Sequence, residues 1–383
     1  MNNRVVIVRQ RFVEGTATVN RTFGYAKGFA ELKKDVHVVF LFPNLENEKY
    51  NKKIQNVTFH YLWDKIPRFL LKFKLSTYFI IIIKYVLFLK KNDFVLLLGG
   101  FVIPYYFHPF RRTCTFCETT EHPFVDNNVR FKHKLMELFF LKMIKKTKGL
   151  FVISNSLKDY YSKFINPDMI YISNMFVDFT RFLNCNTFNK NEKYIAYCGT
   201  LSNYKDGIDI LIHSFAIFHQ KYPEFKLYII GEKMKNEIEW QKIKTIINDK
   251  NLSNNIIFTG KVMPDEMPIL LCKAMILALA RPNNVQAKNG FPTKLGEYLC
   301  TGNPVVITRT GDINIFLKDK INCIFAEPDN INDFAEKLIW TIENYNEAKI
   351  IGLKGKEQAL NAFSYKKQTE KVMKIMEEKS LKL

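Results

Sequence analysis

Short apolar strands alternate with helix-like segments along residues 193–308, and this alternation most constrains the fold. The strand-like segments read "KYIAYCGT", "FKLYIIG", "NIIFTG", "MILALA" and "PVVIT". Strands that alternate with helices in this way predict an open parallel sheet covered by helices. Ligands of such sheets bind in the loops that follow the carboxyl ends of the strands.

The first half shows the same alternation in a less regular form, with strands such as "RVVIV" and "DFVLLLGG". An Asn-rich irregular segment separates the halves. We therefore predict an α/β protein of two facing Rossmann-like domains with a cleft between them. We expect the first domain at residues 1–185 and the second at 186–360. A charged helix at 361–383 is expected to pack back toward the first domain.

The stretch "GFPTKLGEYLCTGNPVV", residues 290–306, predicts a helix whose start is open to a ligand. Pro292 suits the first helical position, and Gly302 is a natural stop. The free N–H groups and the positive end of the helix dipole bind anions, and Lys294 adds a full charge. Glu297 is unexpected beside an anion unless it binds something attached to the anion, such as ribose hydroxyls. The stretch therefore indicates a nucleotide diphosphate.

Four further loops follow strands of the second half and carry Gly or Arg. They begin at Gly199, which leads on to Lys205, and at Gly231, Gly260 and Arg281. A single Gly of this kind usually marks only a turn. Four such loops at successive strand ends, together with the helix start, favour a ligand site.

These residues resemble a known family. "RPNNVQAKNGFPTKLGEYLCTGNPVV", "GTLSNYKDGIDILIHSF" and "NIIFTGKV" look like the donor-binding domain of the retaining glycosyltransferase family 4. The resemblance covers roughly residues 193–328 and implies the GT-B fold, with the second domain binding a nucleotide sugar. The first half resembles the family only in outline, as an acceptor domain would.

The resemblance also assigns the donor-site residues one by one. Glu297 matches the second glutamate of the family's E-x7-E motif, which holds the ribose hydroxyls, whereas Asn289 replaces the first glutamate. Lys205 resembles the diphosphate lysine of the family, although it lies two residues before Gly207 rather than directly before it. Gly290 and Phe291 match the positions whose backbone contacts the sugar and phosphates, and Thr293 and Lys294 match the phosphate end of the helix. Thr200 stands where the family often has an arginine, and Arg281 could supply the charge of that arginine.

No cofactor or metal is expected. The chain has no convincing Asp-x-Asp loop, and Lys205, Lys294 and Arg281 can offset the charge of a leaving diphosphate. Cys114 and Cys117 form a lone CxxC without the second pair that a zinc site needs. The seven cysteines are expected to be reduced thiols, because a chain of 383 residues can form its own core.

Two places in the first half are candidates for the reacting centre. Glu121 and His122, in "ETTEHPFVDN", resemble the family's acceptor-side loop, although a surface turn at His-Pro explains the stretch equally well. Gly15 and Thr16 resemble the loop that approaches the donor diphosphate, and a simple strand-to-helix turn is the alternative.

The net charge of +20 is concentrated in the first half, where 29 Lys and Arg face 14 Asp and Glu up to Cys185. Residues 68–112 and 130–148 interleave bases with Phe, Leu and Ile. Core helices with solvated lysines would explain one such stretch; two favour an anionic membrane surface. The apolar run 75–89 is too short to span a bilayer, and predicts a buried or interfacial helix.

The sequence therefore predicts a retaining hexosyltransferase that moves a sugar from a nucleotide sugar to a lipid-linked or surface-polysaccharide acceptor. We expect it in the cytoplasm, peripherally on the inner face of the membrane, with no nucleic-acid partner. A nucleotide-sugar 2-epimerase shares the fold, with Glu121 and His122 as its candidate proton carriers. A basic nucleic-acid binder would explain the charge but not the strand-end motifs.

Overall fold

The computed structural model describes residues 4–13, 16–43, 49–50, 53–64, 66, 74–99, 107–123, 131–185, 192–234 and 236–381. The chain forms two compact units, residues 1–174 with 365–383 and residues 175–364. The division thus falls before Met175 rather than after Cys185. Local contacts explain this: the Asn174 carbonyl accepts a hydrogen bond from Arg21 of the first unit, whereas Met175 packs against Gly296 of the second.

The first unit contains a sheet of seven strands in the order β3-β2-β1-β4-β5-β6-β7. All the neighbouring strands pair in parallel. The strands are β1 (Arg4–Arg9), β2 (Asp35–Phe40), β3 (Val57–Tyr61), β4 (Phe94–Leu98), β5 (Cys114–Thr119), β6 (Gly149–Val152) and β7 (Ile170–Ile172). All five residues of β4 are buried, as expected for a parallel sheet that helices cover on both faces.

Among the described residues, four helices connect these strands. They are α1 (Ala17–Glu31), α2 (Lys74–Phe88), α3 (Phe131–Ile144) and α4 (Asn155–Ser162). The apolar run 75–89 forms α2, as its composition predicts. None of the helices formed by the described residues combines the length and the hydropathy that a bilayer crossing requires. Both Cys114 and Cys117 are buried in β5, and burial raises the pKa of the Cys114 thiol to about 11.

The second unit contains a six-stranded parallel sheet in the order β10-β9-β8-β11-β12-β13. The strands are β8 (Tyr194–Cys198), β9 (Lys226–Ile230), β10 (Ile256–Gly260), β11 (Ile276–Leu279), β12 (Val305–Thr308) and β13 (Ile324–Ala326). Five of them coincide with the strands that the alternating pattern predicts. β8 and β11 are neighbours although two strands separate them in the chain, so the strand order reverses between them.

Short and long helices fill the connections of this sheet. They are α5 (Asn203–Asp206), α6 (Ile208–Lys221), α7 (Glu237–Asp249), α8 (Met267–Lys273), α9 (Val285–Asn289), α10 (Thr293–Thr301), α11 (Ile313–Phe316), α12 (Ile331–Glu343) and α13 (Tyr345–Ala362). Gly352 allows α13 to pack closely against the backbone before β12, since a Cβ at this position would overlap the carbonyl carbon of Asn303.

Cys185 and Cys272 form a disulfide in this unit, with a Cα–Cα distance of 5.1 Å. The expectation of reduced thiols is therefore wrong for these two residues. Their pairing depends on a tertiary contact between the segment after the 3₁₀ helix Phe179–Phe182 and α8, which spacing along the chain does not reveal.

The last helix, α14 (Tyr365–Ser380), belongs to the first unit and packs on α1. Gly28 makes the close approach possible, because a Cβ there would lie 2.6 Å from Thr369 Cβ. Tyr365 donates a hydrogen bond to Glu31 at 2.7 Å, and Lys34 pairs with Glu377 at 2.7 Å. The helix therefore completes the core of the first unit.

Candidate active site

The candidate site lies at the carboxyl ends of β8 and β11, where the strand order of the second sheet reverses. In open α/β sheets such a reversal leaves a crevice that binds ligands. The loop that begins at Gly199 follows β8, and the loop that contains Arg281 follows β11. The loops at Gly199 and Arg281 are neighbours, because β8 and β11 pair with each other.

Helix α10 supplies the anion-binding end. It begins at Thr293, so Pro292 is the N-cap residue and not the first helical residue that the sequence predicts. No side chain caps this end. The N–H of Leu295 is bonded to the Pro292 carbonyl at 3.0 Å. The N–H groups of the first turn otherwise have no intrahelical acceptor, so this end attracts an anion.

Lys294 lies in a network with two buried residues that the sequence analysis did not single out, Asp206 and Tyr197. Its Nζ donates to Asp206 Oδ2 at 2.7 Å and to the Tyr197 hydroxyl at 2.9 Å. The Tyr197 hydroxyl lies 2.8 Å from the same Asp206 oxygen, and Lys294 Nζ sits 4.4 Å from the centre of the Tyr197 ring. The ammonium group is therefore held at one position.

Burial alone would raise the pKa of Asp206, but the charge and hydrogen bond of Lys294, with smaller contributions from Arg281 and Tyr197, hold that pKa below its ordinary value. Burial raises the pKa of the Tyr197 hydroxyl far above its usual range. The network therefore contains a carboxylate and a neutral tyrosine.

Gly199 allows Lys294 to occupy this position. Its φ of +144° is a conformation that side chains disfavour, and a Cβ there would overlap Lys294 Nζ. The first of the predicted loop glycines is thus required both by its backbone angle and by the lysine beside it.

Arg281 lies beneath the loops. It is 2% exposed, its Nε is 3.4 Å from the Lys205 carbonyl, and its Nη2 is 3.5 Å from the Gln286 carbonyl. Burial lowers its pKa, and the charge of Asp206 partly opposes that change. With so little exposure, Arg281 supports the two loops and adds positive charge from below.

Glu297 lies one turn into α10 and has a partner that the sequence analysis missed. Arg181 Nη1 donates to Glu297 Oε1 at 2.6 Å, and Arg181 Nη2 donates to the Pro264 carbonyl at 2.8 Å. The Glu297 carboxylate is therefore already paired through one of its oxygens. The side chain of Glu297 remains 17% exposed, so its carboxylate still reaches the surface.

The remaining donor-site predictions fall around this centre. Thr200 is exposed and follows Gly199, and Lys205 is partly buried in α5. Asn289 ends α9 and donates to the Val285 carbonyl at 2.8 Å, so the loop expected between Arg281 and Gly290 contains a helical turn. Phe291 is 6% exposed and packs against Phe316 and Phe363, which leaves its backbone rather than its ring for a ligand. Gly290 directly precedes it, and Thr293 lies two positions after it.

The other candidate residues belong to the first unit. Glu121 is exposed, and His122 packs against Tyr160 with ring centres 4.4 Å apart. Thr16 is the N-cap of α1 and accepts from the Val19 N–H at 3.4 Å, while Gly15 lies outside the described residues. The cap gives Thr16 a local role in the start of the helix.

A buried network stabilises the strand that leads to Glu121. Arg21 on α1 donates to both carboxylate oxygens of Glu118 at 2.9 and 2.7 Å, and also to the carbonyls of Ser173 and Asn174. Arg21 and Glu118 are both buried. The ends of β5 and β7 are therefore tied to α1 by one guanidinium group.

One signal in the sequence could have identified Asp206. It occupies the position directly before Gly207, where the resemblance places the diphosphate lysine, so a carboxylate stands where a cation is expected. Tyr197 and Arg181 carry no comparable signal, because a Tyr in a strand and an Arg in an irregular segment fit many structures.

Part of the second unit matches a known protein family. The family model described as glycosyl transferases group 1 matches residues 178–358. An uncharacterized glycosyltransferase of Methanocaldococcus jannaschii is 30% identical over 174 residues, 45% of this chain and 45% of the relative. The poly(ribitol-phosphate) alpha-N-acetylglucosaminyltransferase of Staphylococcus aureus is 24% identical over 66% of this chain and 48% of the relative. The matched segments thus span less than half of each relative.

Solved structures resemble the whole chain. Staphylococcus aureus TarM in complex with fondaparinux, alpha-GlcNAc-glycerol and UDP has a TM-score of 0.75 at 13% identity, covering 98% of this chain and 99% of that one. Anabaena HepE in complex with UDP and glucose has a TM-score of 0.74 at 15% identity, with the same coverage. These likenesses confirm the predicted GT-B fold class. Residues 178–358 thus match the sequence model of the glycosyl transferases group 1 family.

Proposed function

We propose that the chain is a retaining glycosyltransferase that moves a sugar from a nucleotide diphosphate sugar to a glycan or lipid-linked acceptor. The observation that carries the proposal is the start of α10, which no side chain caps and where a fixed lysine is followed one turn later by a carboxylate. The cationic end suits a diphosphate, and Glu297 can accept from two vicinal ribose hydroxyls. UDP is the first nucleotide to test, since the similar TarM and HepE structures hold it.

The proposed reaction exchanges one bond at the anomeric carbon for another on the same face of the sugar. The bond from the carbon to the diphosphate oxygen breaks while the acceptor hydroxyl oxygen bonds to the carbon. The departing phosphate oxygen takes the acceptor proton. Lys294 and the backbone N–H groups at the start of α10 stabilise the negative charge that grows on the diphosphate. The family resemblance assigns Glu121 to the acceptor side.

Calorimetry with UDP, GDP and ADP tests the donor site. We expect the full chain to bind one of the three, and transfer from the matching nucleotide sugar to release that diphosphate. If none of the three binds, the proposed function is wrong. Formation of a 2-epimer of the donor, with no acceptor present, would instead identify an epimerase.

The acceptor side of the proposal includes an anionic membrane surface. Phe79, Ile83 and Leu87 recur every fourth residue on α2 and are 58%, 56% and 78% exposed. On α3, Leu135, Leu138 and Phe139 are exposed beside Lys142. Apolar side chains next to bases are typical of interfacial helices on anionic lipid.

Both helices lie on one face of the first sheet. The connections β3-α2-β4 and β5-α3-β6 step through the sheet in the same direction, and right-handed crossovers then place both helices on the same face. The apolar stripes of both helices would therefore face the same side of the first sheet, with Lys142 exposed on α3, whereas Lys84 of α2 donates to the carbonyls of Leu62 and Asp64. Such a surface would bring the enzyme to lipid-linked acceptors on the inner face of a cytoplasmic membrane.

A further inference from the structure

The network around Lys294 contains one carboxylate that the proposed reaction does not use. Asp206 is 2% exposed and lies at the end of α5, just before Gly207. Gly207 has a φ of +63°, and a Cβ there would overlap the Ala280 carbonyl. The backbone beside Asp206 is therefore tightly packed against the end of β11, and the carboxylate has a fixed position.

The contacts of Lys294 leave part of its ammonium group available. An ammonium group has three N–H donors, and Asp206 and Tyr197 accept two of them. The side chain is 13% exposed, so the tip is confined but not sealed off. One N–H therefore remains for an oxygen of a ligand at the start of α10.

The charges explain why an acid is needed here. Lys294 and Arg281 are two cations at a largely buried place, and Asp206 is the anion that interacts with both. An unpaired buried cation is costly, and two of them near each other would repel. With Asp206 present, the three groups together carry one positive charge, which remains available to a diphosphate.

We propose that Asp206 is a positioning residue for donor binding, which holds the Lys294 ammonium group between Tyr197 and the start of α10 so that it meets the donor diphosphate. The inference rests on the proposed function. Asp206 does not touch the ligand; it acts through Lys294. The Tyr197 hydroxyl shares this task by holding the same carboxylate oxygen.

The test is a double-mutant cycle read by UDP binding. Asp206→Asn keeps the shape and removes the charge, and we expect UDP affinity to fall roughly ten- to hundredfold, the range for loss of a charge-assisted contact. In a Lys294→Met background the same change should have little further effect, because the group through which Asp206 acts is gone. Asp206→Glu should restore part of the affinity.

Two further measurements separate positioning from general stability. Uridine, which lacks phosphates, should bind Asp206→Asn and wild type equally. Asp93→Asn, which breaks the buried pair of Arg4 and Asp93 in the first unit, is the matched control and should leave UDP affinity unchanged. If Asp206→Asn does not fold, Tyr197→Phe serves in its place, with a smaller expected loss of UDP affinity.

The outcomes distinguish the inference from the function on which it rests. If wild type binds no nucleoside diphosphate, the proposed function falls and the inference with it. If wild type binds UDP and Asp206→Asn binds it equally well, only the inference falls. Equal losses in the wild-type and Lys294→Met backgrounds would likewise overturn it.

Discussion

Arg181 Nη1 lies 2.6 Å from Glu297 Oε1, and the same guanidinium group holds the Pro264 carbonyl at 2.8 Å. The Glu297 carboxylate, which we propose binds the ribose, is thus held by a side chain more than a hundred residues away in the chain. A carboxylate that is already oriented loses less conformational freedom when a ligand binds. Arg181 therefore supports donor binding through Glu297.

Glu297→Ala should remove most nucleotide binding without unfolding the protein. The lost charge-assisted contacts correspond to about 1.5–3 kcal/mol of binding free energy. Calorimetry with UDP measures the loss, and circular dichroism checks the fold. Arg181→Ala should weaken binding less, because Glu297 remains. A folded Glu297→Ala protein with wild-type affinity would exclude the ribose role.

Lys294→Ala should lower kcat for sugar transfer more than it raises KM for the donor. The negative charge on the leaving diphosphate grows toward the transition state, so the lysine stabilises that state more than the bound substrate. Steady-state kinetics on the donor sugar measures both constants. Lys288→Ala, at an exposed lysine of α9, is the matched control. A change in KM alone would indicate that Lys294 only binds the ground state.

The first-formed product should keep the anomeric configuration of the donor. The sequence resemblance implies retention, and the many N–H and cationic donors around α10 suit departure of the diphosphate from the face that the acceptor attacks. Proton NMR of the fresh product distinguishes the two anomers. An inverted product would require a positioned general base and would make Glu121 or His122 the residue to examine.

Leu87→Asp on α2 should weaken binding to anionic liposomes, because a charge replaces one of the most exposed apolar side chains. Co-sedimentation at low and high salt measures the effect, and salt should release the wild-type protein. Ile238→Asp on α7, at a residue 71% exposed in the second unit, is the control. Equal binding to neutral liposomes would contradict the electrostatic part of the proposal.

Glu137→Gln should stabilise the protein at pH 8 but not at pH 5. Burial raises the pKa of Glu137 from 4.5 to about 7, only partly opposed by a hydrogen bond with Tyr161, and its Oε1 has no partner among the described residues. Because the pKa of Glu137 is higher in the folded state than in the unfolded state, the folded state binds more protons between about pH 4.5 and 7. The free energy of unfolding therefore falls as the pH rises through this range. Thermal unfolding at both pH values measures this; Glu121→Gln, at an exposed acid, should show no such dependence.

The sequence by itself determined the α/β class and most elements of the second unit, because apolar periodicity depends only on which residues need burial. It also identified the bounds of α10 to within one residue, since Pro292 and Gly302 act on the backbone next to them. Glu297 stood out for the same reason: an acid beside an anion site is a local anomaly.

The tertiary structure alone decided which distant residues meet. Asp206 and Lys294 are 88 positions apart, and Arg181 and Glu297 are 116 apart. Tertiary structure likewise brings together Cys185 and Cys272, and α14 and α1, which are far apart in the chain. A periodic pattern states that a side chain is buried but not against what, because the partner is set by the order of strands in the sheet. The reversal between β8 and β11 brings the loop of Asp206 beside Arg281 and the helix of Lys294, and so turns separate local signals into one charged network.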